Sequence, residues 1–241
     1  MSERSGPAAA VEPTQTRLVG SFGCALTIDV EEWYHTCLVR EYVDPARRPA
    51  VAEELDRLLP EVLELLAGLG VRATFFVLGE VAARLPARIR EIAAAGHEVG
   101  SHAFLHYRAE WLRPAAWRAD VARCKSLLED LLGDAVLGFR APEWSLRSVS
   151  NPRLAVLSDL GFRYDSSLTP CWGSGRRSNP RWVTRLSWGP GASLLELPPL
   201  AYARELQLPI GGWTGRLLPA SVVARVAGEH RRRGGMPILV A

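Results

Sequence analysis

VRATFFVLGEVAARLPARIREIAAAGHEVGSH, residues 71–102, decides the fold class. VRATFFVLG is rich in β-branched and aromatic residues and predicts a buried strand. LPARIREIAAAG carries apolar residues at helical spacing and stops on Gly96, which predicts a helix. HEVGSH then predicts a second short strand. Strand, helix and strand in so few residues is the unit of a parallel sheet, because parallel neighbours need a crossover connection.

The same alternation extends outward. Before the unit, LVGSFGCALTID (18–29) predicts a strand region and VAEELDRLLPEVLELLAGLG (51–70) a helix, with a kink or restart expected at Pro60. After it come a helix in RPAAWRADVARCKSLLEDLLG, a strand in AVLGFR, a helix in NPRLAVLSDLG and a strand in FRYDSS. Residues 170–192 are crowded with Gly, Pro, Ser and Trp and predict long loops, in which Trp172, Trp182 and Trp188 could meet a sugar. LLELPPL resumes a strand, PASVVARVAGEHRRRGG predicts a last helix and PILVA a last strand. The expected organisation is a flexible tail over residues 1–17 and one α/β domain over 18–241. A parallel sheet or barrel carries its reacting groups where strands end.

Composition removes several alternatives. A net charge of +3 does not point to a nucleic-acid partner. The four cysteines, Cys24, Cys37, Cys124 and Cys171, form no paired knuckle or disulfide framework. The N-terminus shows no basic-then-apolar leader and no apolar run approaches a membrane span, so a cytoplasmic location is the expectation.

Polar residues do fall at the ends of the predicted strands: Asp29 and Glu31, His102, Arg140, and Asp165. In ALTIDVEEW (25–33), strand alternation turns Asp29 and Glu31 to one face and Glu32 to the other. Two carboxylates on one face need a cation, a proton or an arginine between them. In GSHAFLHYR, His102 and His106 are four residues apart, which on a helical turn puts both imidazoles on one face. With Glu31 they make two histidines and a carboxylate, a metal-ligand set that leaves positions for water and substrate. Asp29 would then be a general base beside the metal, and Arg140 of GFRAPEWSL the cation that keeps it ionised and aimed.

TIDVEEW, TFFVLG, GHEVGSHAFLH, GFRAPEWS and LGFRYDSSLTP, in this order and spacing, resemble the polysaccharide deacetylases with a NodB homology domain. The branch most resembled is the one associated with exopolysaccharide and exosortase gene clusters. The likeness covers roughly residues 22–241 and implies a distorted (β/α) barrel of the NodB homology type, cut at its last strand. It implies a hydrolase that removes N-acetyl groups from amino sugars with a divalent metal, Zn2+ or alternatively Co2+. By this likeness Asp29 is the catalytic base, Arg140 its orienting arginine, and Glu31, His102 and His106 the metal ligands. The backbone N–H at Glu143 matches the oxyanion donor, Trp144 would line the substrate groove, and Asp165 matches the acid that orients a C-terminal histidine. Two departures stand out. Many members carry adjacent aspartates where this chain has Asp29-Val30, and the family's closing histidine motif is not met before PILVA.

The resulting expectation is a carbohydrate N-deacetylase with an N-acetylated partner. Its alternatives are a catalytically impaired sugar-binding relative and, from the ligand set alone, a non-haem iron oxygenase.

Overall fold

The computed structural model describes residues 12–37, 39–44, 54–171, 173–202, 208–211 and 217–241. Its strands are β1 (Thr14–Arg17), β2 (Ala25–Val30), β3 (Ala73–Val77), β4 (Glu98–Ser101), β5 (Gly138–Phe139), β6 (Tyr164–Asp165), β7 (Thr184–Gly189), β8 (Ala192–Glu196), β9 (Ala201–Tyr202), β10 (Leu208–Pro209) and β11 (Ile238–Val240). Its helices are α1 (Glu54–Gly68), α2 (Gly79–Arg84), α3 (Pro86–Ala94), α4 (Pro114–Leu132), α5 (Arg153–Asp159) and α6 (Ala220–Arg232).

The main sheet has the order β1-β7-β8-β6-β5-β4-β3-β2-β11, and β9 and β10 make a separate two-stranded ribbon. From β8 through β11 every pairing is parallel, as the strand-helix-strand unit requires, while β1 and β7 add an antiparallel edge. The two ends of this curved sheet are bridged by chain rather than by a ladder. Leu197 N–H donates to Asp165 O at 2.8 Å and Leu200 N–H to Ile238 O at 2.8 Å, so the segment after β8 crosses from β6 to β11. This is the mixed α/β, barrel-like sheet expected from the sequence.

The core lies between sheet and helices. Phe75 and Val77 of β3, Ile89 and Ile92 of α3, and Trp117, Val121, Cys124 and Leu128 of α4 are all buried within it. The α4 residues recur at helical spacing and face the sheet as one stripe. The helix ends on Gly133 at φ 68, a left-handed stop that glycine adopts without steric cost.

Three expectations change. The stretch 14–17, expected within a flexible tail, is strand β1 with Thr14–Arg17 paired to Ser187–Thr184. The expected loop 170–192 contains β7, which turns through Gly189, Pro190 and Gly191 into β8. The signal was present as alternation in TRLSW followed by the turn residues GPG, but the surrounding glycines and prolines masked it. Pro60 sits inside α1 without ending it. Residues 1–11 and Trp172 lie outside the described residues.

Candidate functional site

β2 ends at Val30, and its last inward residue is Asp29. Glu31 follows directly, while Glu32 turns away to a buried ion pair with Arg84 at 2.6 Å. The bend is braced by His35, whose Nδ1 accepts the Glu32 N–H at 2.9 Å. Strand alternation therefore separates the acids as expected.

Arg140 follows β5 and is fully buried. It is fixed by four hydrogen bonds: Nη1 to Asp29 Oδ1 at 2.8 Å, Nη2 to Thr27 Oγ1 and Ser166 Oγ at 2.9 Å each, and Nε to Ser166 O at 3.2 Å. Its guanidinium also lies 4.3 Å from the centre of the Phe76 ring. A planar fork held on every side gives Asp29 one orientation and a compensating charge. Thr27 and Ser166 were not singled out in the sequence. Thr27 precedes Asp29 by two and so shares its strand face, a signal that was available.

His102 begins the loop after β4 and His106 lies within it. The backbone there is not the helical turn expected from their spacing: Ala103 and His106 have φ of 65° and 54°. The loop is held from outside. Gly79 and Glu80 N–H groups donate to the carbonyls of Ala103 and Phe104, and Asp120 accepts the Phe104 N–H at 2.8 Å. Phe104 packs so closely on Gly79 that a Cβ there would stand 2.2 Å from the ring. Tertiary contacts, not helical periodicity, bring the imidazoles together.

Glu31, His102 and His106 place one ligand atom each within 4.8 Å of one another. Donors on a tetrahedral ion with bonds of about 2.0–2.1 Å stand roughly 3.4 Å apart, which fits that spacing. His102 Nδ1 lies 2.8 Å from the Arg140 carbonyl, which leaves Nε2 for a metal. Burial lowers the His102 pKa, so its ring is neutral and competent as a ligand. His106 Nε2 lies 2.5 Å from Glu31 Oε2. Burial opposes a charge on His106, but contacts with Cys37 and Glu31 and the nearby Glu143 carboxylate push its pKa up to about 10. The environment thus favours positive charge where the three ligands converge, which suits a divalent cation.

Glu143 and Trp144 lie in the short turn after Arg140 with φ of 55° and 49°. Such values are costly for residues other than glycine and mark a turn dictated by its surroundings. The Glu143 carboxylate accepts the Cys37 N–H at 3.0 Å. Trp144 Nε1 is a buried donor with no hydrogen-bond partner among the described residues.

Asp165 stands apart from this cluster. It is fully buried, accepts from Ser167 Oγ at 2.5 Å, and sits in register beside Glu196 of β8, which is also fully buried. The two carboxyls hydrogen-bond each other, and burial raises the Asp165 pKa to about 6 and that of Glu196 well above its ordinary value. Glu196 was read only as part of the strand LLELPPL. Ser167 also accepts the Ala141 N–H at 2.7 Å, so Asp165 reaches the site through the backbone beside Arg140. Of the loop tryptophans, Trp182 has Arg17 over its ring at 4.0 Å and His230 stacked on it at 4.5 Å, and Trp188 packs on the core.

Residues 52–164 match the family model described as polysaccharide deacetylase. A peptidoglycan deacetylase of Helicobacter pylori is 30% identical over 110 residues, 46% of this chain and 36% of that protein. A chitooligosaccharide deacetylase of Sinorhizobium fredii is 38% identical over 93 residues, 39% of each protein. The matched regions thus span well under half of either relative. Among solved structures, a putative polysaccharide deacetylase from Mycobacterium smegmatis covers 98% of this chain and 80% of its own, with a TM-score of 0.62 and 24% identity. A CE4 family pseudoenzyme from Bacillus anthracis covers 91% of this chain and 54% of its own, with a TM-score of 0.51 and 17% identity. These two likenesses show a shared fold. No helix among the described residues is long and apolar enough to cross a membrane. Over residues 52–164 this chain is thus similar to polysaccharide deacetylases.

Proposed function

We propose that this chain is a metal-dependent N-deacetylase acting on N-acetylated amino sugars of a polysaccharide or glycoconjugate. One observation carries the reading: Glu31, His102 and His106 converge within 4.8 Å beside an Asp29 held by a fully buried Arg140. A divalent metal held by these three residues, zinc in the first instance, would polarise the amide carbonyl and acidify the attacking water.

The chain's own residues supply the rest. Asp29 is a half-buried carboxylate whose second oxygen is not spent on Arg140, so it can accept a proton from water. Arg140 holds it in place and prevents it from swinging away. The backbone N–H at Glu143, in the strained turn after Arg140, would donate to an oxyanion, where a preorganised dipole is worth most. Trp144 Nε1, unpaired among the described residues, offers a donor to a sugar hydroxyl or acetyl oxygen beside it. The relatives' names make chitin and peptidoglycan oligomers the first substrates to try, and the sequence likeness adds bacterial exopolysaccharides.

A second reading, a sugar-binding relative without turnover, is favoured by Asp165. Its partners are Ser167 and Glu196, and no imidazole is among them in the described residues. Acetate release from N-acetylglucosamine oligomers by the zinc-loaded chain, lost in Asp29→Asn, is the result expected for the enzyme. Oligomer binding with no acetate release, also after extension through a C-terminal histidine motif, would establish the second reading instead.

A further inference from the structure

We infer that Cys37 and Glu143 are positioning residues for His106, holding its imidazole where it meets Glu31. This rests on the reading of His106 as a metal ligand. Cys37 follows the turn Trp33–His35, Glu143 belongs to the turn Pro142–Trp144, and the Cys37 N–H to Glu143 Oε1 bond at 3.0 Å ties the two turns together. The Cys37 sulfur, a His106 ring nitrogen and a Glu143 carboxylate oxygen all lie within 4.8 Å of one another. His106 is 2% exposed, and its Nε2 is engaged by Glu31. Its Nδ1 is buried and makes no hydrogen bond of good geometry to the described residues.

A buried ring nitrogen without a partner is uncommon, because losing hydration costs free energy unless a hydrogen bond replaces it. With Nε2 facing the metal site, a neutral imidazole carries its proton on Nδ1 and needs an acceptor there. The Cys37 sulfur and a Glu143 carboxylate oxygen are the acceptors at hand. A small rotation of the ring onto either satisfies it, fixes the tautomer and directs Nε2 toward the metal. Outer partners of this kind set ligand orientation and basicity. The strained φ of both His106 and Glu143 fits two loops locked against each other at this point.

The test is zinc affinity of the full chain, measured by competition with a chromogenic chelator. Glu143→Gln and Cys37→Ala together are expected to weaken zinc binding by about 10–100-fold. Stoichiometry should stay at one and the thermal transition of the chelator-treated protein should be unmoved. Cys37→Ser, which keeps an acceptor, should recover part of the affinity. The visible spectrum of the cobalt-substituted protein should shift in the double variant, reporting a reoriented ligand. Glu143→Gln alone is nearly isosteric and keeps the test open should Cys37→Ala impair folding. Unchanged zinc affinity and an unchanged cobalt spectrum in these variants would overturn the inference while leaving the metal site standing. Two zinc equivalents, one lost in the double variant, would overturn it in favour of direct ligation. No zinc uptake by the unmodified chain would remove the metal reading and this inference with it.

Discussion

Two pairs of carboxylates lie at strand ends of the main sheet, and the molecule neutralises them in opposite ways. Asp29 and Glu31 at the end of β2 remain partly exposed and each meets a basic side chain, Arg140 at 2.8 Å and His106 at 2.5 Å. Asp165 and Glu196 at the ends of β6 and β8 are fully buried, and neither forms an ion pair among the described residues. Asp165 Oδ2 and Glu196 Oε2 have no other donor among the described residues, so the hydrogen bond between the two carboxyls requires a proton. Close carboxylates cannot both stay charged in a dry interior. The first pair is built to attract a cation and hold a base in one orientation. The second is built to hold a proton and support the backbone. Geometry alike in kind therefore serves chemistry in one place and architecture in the other.

The largest expected effect separates the two pairs by activity. Asp29→Asn should reduce acetate release by about 10²–10⁴-fold with the fold intact, as for loss of a general base. Asp165→Asn should leave more activity than that, because among the described residues its side chain reaches the site through Ser167 and Ala141. Equal losses, measured as kcat on one oligomer, would break the comparison.

Removing the buried cation comes next. Arg140→Ala strands the Asp29 carboxylate and leaves Thr27 and Ser166 without their shared donor. It should lower stability in urea unfolding by about 3–5 kcal/mol. Zinc at about a hundred times its Kd should raise stability by roughly 2.7 kcal/mol, reversed by chelator and abolished by Glu31→Gln. A zinc effect that survives Glu31→Gln would place the metal elsewhere.

The smallest effect concerns the buried pair and pH. Asp165 has a folded pKa of about 6 against an ordinary 3.8, so the folded state binds its proton more tightly than the unfolded state. Stability from this group is full below 3.8 and is lost as pH rises to about 6. The raised Glu196 acts in the same direction, starting from its ordinary 4.5 and extending higher. Glu196→Gln keeps a donor for Asp165 and an acceptor for the Leu168 N–H while removing the proton linkage. Its Tm should exceed that of the parent by about 2–6 °C at pH 7, with the gap closing as pH falls toward 4.5. A gap that does not change with pH would show that Glu196 is not the protonated member.

Much of the fold was legible because parallel strands and amphipathic helices write strong local periods. β3, α3, β4 and α4 fall where their residues predict them. What stayed hidden depended on partners distant in sequence. The segment Thr14–Arg17 is strand because Thr184–Ser187 lies beside it, and nothing in TQTR alone requires that. The candidate site divides in the same manner. Strand alternation alone placed Asp29 opposite Glu32 and beside Glu31, and it made Arg140 a natural partner. It could not show His102 and His106 meeting through a left-handed loop braced on Gly79 and Asp120, since φ there is fixed by packing. Nor could it find Glu196, whose meaning is its register against Asp165, or Cys37, which gains a role only where two turns converge on His106. The sequence by itself determined the strand-helix order and which acids share a face, because those follow from backbone geometry over a few residues. Only the tertiary structure decided which charges meet a cation and which must keep a proton, because burial and dielectric are properties of the whole fold.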